Sequence, residues 1–379
     1  MSNINKYKKL TVFLCALLTF IGVSNFYAKC YNTYESVDYL LNQKLNLQNG
    51  GASITIMQND QIKYQNCFGF SDGETKEKIN KNTRFNIASV SKIFAVVATM
   101  ILVDDGKLDI DKPIYKYLPE FSMANENFKK ITTRMLLSYS SGISGTFLDG
   151  YEGDEYDKNY IKKFLEFIKT QDLKFMPGES SFYCNNSIVP IEILIEKITG
   201  QTYMDFLQEK IFTPLGLENT GVSLGEYSTN GGTNIAYAFE NGKNISPLSV
   251  SSYAAGGLSS TAEDLCKLGV IFCEDAQNQI LSKKSIEEIR KINSNVIPNK
   301  IPEQVYCLGF SKVVDKKYKF VECLSKSGVS NNHQAMLFVL PGKNVVVSIL
   351  ISDKDYESWF STNNDLAFNL LDEIIEILN

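Results

Sequence analysis

Strand-type and helix-type patterns occupy different parts of this sequence of 379 residues, and their order constrains the fold more than any other feature. Two runs with the alternation of β-strands, 53–58 and 61–69, stand near the N-terminus and are joined by the turn Asn59-Asp60. Comparable runs return only late in the chain, at 305–314, 318–324, 336–340 and 344–351. We therefore expect one sheet that both ends of the chain complete.

Helical periodicity dominates the sequence between these strand regions. Apolar residues recur every three or four positions in 89–104, 161–170 and 188–199, and a last helix is predicted at 364–378. The pattern predicts an α/β (α+β) fold, in which an antiparallel sheet is flanked by helices and an all-helical insertion occupies about 119–248. Because no internal repeat or low-complexity linker interrupts the chain, we expect one domain over 31–379.

The first thirty residues differ from the rest of the chain. Three lysines precede an apolar run, 10–23, that is shorter than the roughly 20 residues needed to span a bilayer. This pattern is typical of a secretory signal, and we expect 1–30 to be a cleaved signal peptide or an uncleaved membrane anchor. The rest of the protein is then extracellular or at the cell surface, with membrane contact only through this segment. A buried N-terminal helix is the alternative.

The composition excludes several classes of function. A net charge of -5 leaves no basic surface for nucleic acid. The chain has a single histidine, His333, and its eight cysteines include no Cys-x-x-Cys pair, so we expect neither a metal nor a cofactor. Cys307 and Cys323 are equidistant from Asp315 and would face each other across a hairpin centred there. Unpaired buried thiols are the preferred interpretation.

The segment Ser89-Val90-Ser91-Lys92 carries the first chemical signal. A lysine three residues after a serine at a helix start lies one turn away on the same face, so the two side chains can meet. Serine needs a neighbouring base to act as a nucleophile, and lysine is such a base when burial or another cation lowers its pKa. A capping serine followed by a surface lysine is the structural alternative.

Further stretches accompany this motif, and their order is more specific than any one of them. They are Phe85-Asn86-Ile87-Ala88 before Ser89, Gly106-Lys107-Leu108-Asp109, Ile131-Thr132-Thr133-Arg134 with Ser141-Gly142-Ile143, Tyr183-Cys184-Asn185, Ala255-Gly256-Gly257-Leu258, and Lys326-Ser327-Gly328. With these stretches the chain, over roughly 36–375, resembles the serine β-lactamase and penicillin-binding-protein family, of the class C β-lactamase and DD-carboxypeptidase type. The resemblance implies the β-lactamase/transpeptidase-like fold.

The resemblance also implies a role for each matched residue. Ser89 would be the acylated nucleophile and Lys92 its proton partner, while Tyr183 would take the serine proton or protonate the leaving group. In this scheme Lys92 and Lys326 stabilise a Tyr183 phenolate. Five residues are implied to contact the substrate. Asn185 would bind a substrate amide and Lys326 a carboxylate, while Ser327 and Gly328 form the strand edge that continues from Lys326. The backbone N–H of Val329 would bind the oxyanion.

The implied function is an exported serine hydrolase that acts through an acyl-enzyme. A D-Ala-D-Ala carboxypeptidase (penicillin-binding protein) or a class C-like β-lactamase is expected first, with a peptidoglycan-type peptide or a β-lactam as the bound partner. Val329 stands where many relatives have glycine, which leaves the shape of the substrate open. An esterase or D-aminopeptidase of the same fold and a non-catalytic surface sensor are the alternatives.

A second serine also lies in a motif associated with catalysis. Gly221-Val222-Ser223-Leu224-Gly225 matches the nucleophile elbow of α/β-hydrolases, and His333 follows downstream. An elbow needs a buried strand before it and a helix after it, whereas a loop rich in Gly and Asn is predicted to follow. Ser223 is therefore expected to be non-catalytic, and His333 to be a polar loop residue beside the sheet.

Overall fold

The computed structural model describes residues 34–35, 37–39, 50–145, 149–240, 243–277, 280–293, 304–313, 322–330, 333–352 and 366–378. The chain divides into two units, of which one consists of Met1–Leu45 and Asp365–Asn379 and the other of Asn46–Asn364. The expected leader, 1–30, lies outside the described residues. Among the helices that are described, none combines the length and the apolar character needed to cross a bilayer.

The strands and helices of the described residues are numbered in chain order. The strands are β1 (Gly51–Gln58), β2 (Gln61–Gly69), β3 (Phe85–Asn86), β4 (Glu152–Gly153), β5 (Gly221–Val222), β6 (Ala238–Glu240), β7 (Lys243–Ile245), β8 (Ser249–Val250), β9 (Leu258–Ser260), β10 (Gln304–Tyr306), β11 (Ser311–Val313), β12 (Cys323–Ser330), β13 (His333–Leu340) and β14 (Val345–Ser352). The helices are α1 (Ser91–Asp104), α2 (Thr133–Leu137), α3 (Tyr160–Ile168), α4 (Val189–Thr199), α5 (Tyr203–Leu207), α6 (Thr213–Leu215), α7 (Leu224–Thr229), α8 (Ala262–Val270), α9 (Lys283–Arg290) and α10 (Leu366–Leu378). Helix α10 belongs to the first unit and all the other elements to the second.

The main sheet joins the two ends of the second unit. Seven of the described strands form it in the order β10-β11-β12-β13-β14-β1-β2, and every pair is antiparallel. The late strand β14 pairs with the early strand β1, with Gly51 opposite Ser352. Asn59 and Asp60 have φ of 51° and 60°, as the tight turn of the β1–β2 hairpin requires. The antiparallel sheet expected from the sequence is therefore confirmed.

Helices pack on this sheet, and most of them lie in the part of the sequence between its early strands, β1 and β2, and its late strands, β10 to β14. Helix α8 lies so close to the sheet that a Cβ on Gly269 would come within 2.4 Å of the Val346 Cγ1 atom. Helix α1 is buried along most of its length, because most of its positions are apolar. The region expected to be helical holds α2 to α7 together with the short strands β4 to β7.

Two details of the late strands differ from the sequence prediction. The run 305–314 is divided into β10 and β11, because Gly309 adopts a φ of 74° between them. Cys323 lies opposite Val313 in the sheet and not opposite Cys307. The prediction that the two cysteines face each other across a hairpin is therefore wrong. Both thiols are unpaired and buried, which agrees with the preferred interpretation of these cysteines.

Candidate active site

Ser89 lies in a tight turn at the start of α1. The 3₁₀ turn Ala88–Val90 precedes the helix, and Ala88 has a φ of 43°, in the left-handed region that residues other than glycine rarely adopt. The Ile87 N–H donates to the Leu258 carbonyl at 3.0 Å, and the Leu258 N–H donates to the Ser91 hydroxyl at 3.2 Å. The turn is thus fastened to β9, which stabilises the strained backbone beside Ser89.

Lys92 points from the first turn of α1 into the protein interior and is fully buried. Its Nζ atom lies 2.9 Å from Ser89 Oγ and 2.6 Å from Asn185 Oδ1, and it donates to the Ala255 carbonyl. Burial, and secondarily the charge of Lys326, hold the pKa of Lys92 well below its usual value. The condition under which a lysine can act as a base is therefore met.

Tyr183 brings a second proton-bearing group to Ser89. Its Oη atom lies 2.6 Å from Ser89 Oγ, and its hydroxyl donates to Asn185 Oδ1 at 3.2 Å. Asn185 therefore links Tyr183 to Lys92. Cys184 is oriented elsewhere, because its thiol donates to the Ser144 carbonyl at 3.2 Å.

The protonation of Tyr183 differs from the one expected from the sequence. Burial raises its pKa, although the hydrogen bond between Tyr183 and Ser89 opposes the change. Burial also lowers the pKa of Lys326 to about 7, so the two lysines are not a permanent pair of cations that could hold a phenolate. Both shifts favour the neutral phenol of Tyr183 in this site.

Lys326 reaches the site from β12 and contacts a tyrosine that the sequence analysis did not single out. Its Nζ atom donates to Tyr139 Oη at 3.0 Å and lies 4.7 Å from the centre of the Tyr183 ring. Tyr139 is buried, has a φ of 58°, and packs its ring 4.9 Å from that of Tyr183. Its place between the matched Thr133-Arg134 and Ser141-Gly142-Ile143 segments was the only sequence signal for it.

Strand β12 passes directly beside the Ser89 turn. A Cβ on Gly328 would lie 2.2 Å from the Ile87 carbonyl oxygen and 2.8 Å from the Ser89 nitrogen, so only glycine fits there. Within the described residues, β11 pairs with β12 only as far as Ser325, and Ser327 and Val329 are exposed beyond that point. The structure thus places Ser327, Gly328 and Val329 along an open strand edge next to Ser89.

The alternative serine and the histidine lie outside this cluster. Ser223 is fully buried between β5 and α7, and its hydroxyl accepts from the Val250 N–H at 3.3 Å. Helix α7 follows Ser223, where a loop was predicted. The Ser223 side chain is nevertheless inaccessible to a substrate, because it is buried. His333 begins β13 and is buried, with Nε2 2.9 Å from the Ala236 carbonyl, and the prediction of a loop position was wrong. Among the described residues, no group of acidic, cysteine or histidine side chains could hold a metal ion.

Comparison with known proteins yields a consistent set of similarities. A model of the Beta-lactamase family matches residues 39–372 of the chain. The chain is 27% identical over 176 residues to penicillin-binding protein 4* of Bacillus subtilis (strain 168), a match that covers 45% of this chain and 38% of that protein. The chain thus spans well under half the length of this curated relative.

Two solved structures share the fold over most of the chain. The octameric penicillin-binding protein homologue from Pyrococcus abyssi superposes with a TM-score of 0.70 and 24% identity, covering 85% of this chain and 73% of that one. EstCE1, a hydrolase with promiscuous acyltransferase activity, superposes with a TM-score of 0.75 and 18% identity, covering 93% and 98%. At these identities the likeness concerns the fold.

Proposed function

The chain belongs to the Beta-lactamase family, and on this premise we propose that it is a serine hydrolase that forms an acyl-enzyme on Ser89. One observation carries the proposal: Ser89 Oγ lies within hydrogen-bonding distance of both Lys92 Nζ, at 2.9 Å, and Tyr183 Oη, at 2.6 Å. A nucleophile with a buried amine on one side and a phenol on the other can lose one proton and supply another within a single site.

Lys92 is the base in this proposal. A neutral amine has two N–H groups and one lone pair, and the two N–H groups are directed to Asn185 Oδ1 and to the Ala255 carbonyl. The lone pair then faces the hydroxyl of Ser89. As Ser89 Oγ forms a bond to the acyl carbon of the substrate, its proton passes to Lys92 Nζ.

Tyr183 is the acid that completes the step. Because its pKa is raised, the phenol keeps its proton and can deliver it to the leaving group when the bond to the acyl carbon breaks. The proton on Lys92 then restores the phenol, and water releases the acyl group by the reverse sequence of transfers. Backbone N–H groups of Ser89 and Val329 would hold the oxyanion, each contributing roughly 3 kcal/mol.

We propose a peptide with a terminal carboxylate, of the peptidoglycan type, as the first substrate class. The open edge of β12 can pair with an extended peptide, and Lys326 lies beside it as a partner for a carboxylate. A bound carboxylate would favour the charged form of Lys326, whose pKa of about 7 leaves it partly protonated at neutral pH. β-Lactams resemble such peptides, and we propose them as a second kind of molecule that acylates Ser89. We also propose that the leader, 1–30, exports the protein.

An ester substrate is the second candidate. An apolar side chain is exposed on the open edge of β12, that of Val329 beside Gly328, and it favours an apolar acyl or alcohol group. EstCE1, which shares the fold, is a hydrolase with promiscuous acyltransferase activity, and acyl transfer from a small substrate is compatible with this candidate.

Intact-mass analysis of the purified protein after exposure to a β-lactam tests the proposal. We expect an adduct that peptide mapping places on Ser89, no adduct in Ser89→Ala, and an unchanged adduct in the control Ser223→Ala, whose hydroxyl is buried elsewhere. An adduct that persists indicates a peptidase, and one that disappears as drug is consumed indicates a β-lactamase. If a p-nitrophenyl ester acylates Ser89 and no β-lactam does, the esterase candidate replaces the first. Labelling that survives in Ser89→Ala would contradict both.

A further inference from the structure

A buried carboxyl group binds the segment whose carbonyl accepts from Lys92, and it has no part in the steps above. Glu192 is on α4, and only 3% of the residue is exposed. Burying a carboxyl group costs free energy unless hydrogen bonds compensate for it. One oxygen, Oε2, accepts from the Ser252 hydroxyl at 2.9 Å and from the Ala254 N–H at 3.0 Å. The interior end of Glu192 is therefore bound to one short segment, 252–257.

This segment forms a tight turn that carries the carbonyl of Ala255. The N–H groups of Gly256 and Gly257 both donate to the Ser252 carbonyl, at 3.2 Å and 3.0 Å. Glu192 accepts from the N–H of Ala254, and the next residue, Ala255, has the carbonyl that accepts from Lys92. The position of that carbonyl thus depends on how the turn is held.

The turn is held from two directions. On one side, Leu258 exchanges hydrogen bonds with Ile87 and Ser91, so the end of the turn is tied to the start of α1. On the other side, Glu192 binds the beginning of the turn from α4. The backbone of the turn is closely packed: a Cβ on Gly257 would lie 2.9 Å from the Ser252 carbonyl oxygen and 3.0 Å from the Tyr253 Cα atom. A displacement at Glu192 would therefore be transmitted to Ala255.

We propose that Glu192 is a positioning residue, which holds the turn 252–257 so that the Ala255 carbonyl orients the amine of Lys92 toward Ser89. The inference rests on the proposed function, because it concerns the base of that reaction. Lys92 has two N–H groups to place when it is neutral, and one of them is directed by Ala255. Without that acceptor only Asn185 orients the N–H groups of the amine, and its lone pair is less often aligned with Ser89 Oγ.

Glutamine is the conservative replacement at this position. Burial raises the pKa of Glu192 to about 8, so at neutral pH the carboxyl group is mostly protonated and uncharged. A glutamine side chain has the same shape and keeps an acceptor oxygen for Ser252 and Ala254. A leucine has a similar volume and no acceptor. The pair separates loss of the hydrogen bonds from loss of packing.

The rate of Ser89 acylation in matched variants tests the inference. A fluorophosphonate reports nucleophile activation by intact mass, and a p-nitrophenyl ester reports kcat and KM, both normalised to the fraction of active sites. Glu192→Leu should acylate about 10- to 100-fold more slowly, with the loss in kcat and little change in KM, because Glu192 does not touch substrate. Glu192→Gln should restore the rate to within about threefold.

Asp264→Asn is the control. Asp264 is also buried, and it also holds a loop by two hydrogen bonds, from the Asn219 N–H at 2.8 Å and the Thr220 hydroxyl at 3.0 Å, but that loop gives no acceptor to Lys92. Its acylation rate per active site should equal that of the wild type.

The outcomes separate this inference from the proposed function. If the wild type is not acylated on Ser89 by any probe, the proposed function fails. If the wild type is acylated and a folded Glu192→Leu reacts at the same rate, or if Glu192→Gln loses as much as Glu192→Leu, the positioning role is refuted. Should Glu192→Leu not fold, Glu192→Met decides, because its unbranched side chain also lacks an acceptor for Ser252 and Ala254 and should slow acylation several-fold.

Discussion

At the scale of single residues, the protonation of Lys92 should control the rate of acylation. Only the unprotonated amine can accept the Ser89 proton, and the pKa of Lys92 lies well below its usual value. Acylation by a fluorophosphonate should therefore increase with pH, on a limb well below the ordinary titration of lysine. Lys92→Met should lower the rate by about 10²- to 10⁴-fold. Intact-mass time courses between pH 5 and 9 measure both effects, with the exposed Lys107→Met as the control.

A rate that decreases with rising pH, or a Lys92→Met variant that reacts like the wild type, would exclude Lys92 as the base. Tyr183 would then be the remaining group within hydrogen-bonding distance of Ser89 Oγ that could take its proton.

Tyr139 should determine how well the site binds carboxylates. Its hydroxyl accepts from Lys326 at 3.0 Å, which favours the charged form of that lysine. Tyr139→Phe removes this acceptor, and KM for a D-alanyl peptide should increase about tenfold, as for a lost hydrogen bond to a charged group. The methyl ester of the same peptide is the internal control, and its KM should not change. An equal increase for both substrates would mean that Tyr139 acts only through packing.

At the scale of elements, the contact between β12 and the Ser89 turn should tolerate no side chain at Gly328. A Cβ there would lie 2.2 Å from the Ile87 carbonyl oxygen, so Gly328→Ala must move the strand or the turn. We expect a loss of about 1–3 kcal/mol in the free energy of unfolding and much slower acylation. Urea unfolding and intact mass measure these effects. Gly342→Ala is the control, because the nearest atom to its Cβ would be 3.8 Å away.

If Gly328→Ala instead acylated as fast as Gly342→Ala, the open edge of β12 could not lie as close to Ser89 as the structure places it. The proposed oxyanion site, which uses the next residue on this strand, would then be excluded.

At the scale of the whole molecule, Lys326 should make stability depend on pH. Its pKa is about 7 in the folded protein, against 10.5 for an ordinary lysine, so between these values the unfolded chain binds a proton that the folded chain lacks. The free energy of unfolding should therefore increase with pH from about 7 upward, by at most about 1.4 kcal/mol per pH unit from this group. Lys326→Met should lose this contribution. Urea unfolding of both proteins at pH 7, 8 and 9 measures it, and parallel pH dependences would contradict the burial of a neutral lysine.

Local sequence patterns were sufficient for much of the fold. The alternating runs around Asn59-Asp60 predicted the first hairpin, and helix α4 was predicted within one residue of its start. The spacing from Ser89 to Lys92 predicted that the two side chains meet, because one helical turn separates them. These features depend on residues that are neighbours in the chain, and so their periodicity is visible in the sequence.

By itself the sequence therefore determined the main sheet, several of the helices and the serine–lysine pair. Only the tertiary structure decided which groups surround Lys92. The Ala255 carbonyl lies 163 residues from Lys92 along the chain, and it is a backbone atom that every residue type possesses. Long-range packing likewise brings the carboxyl group of Glu192 to the turn 252–257 and the hydroxyl of Tyr139 to Lys326. The low pKa of Lys92 arises from burial and secondarily from the charge of Lys326, and burial is a property of the folded chain that no local pattern encodes.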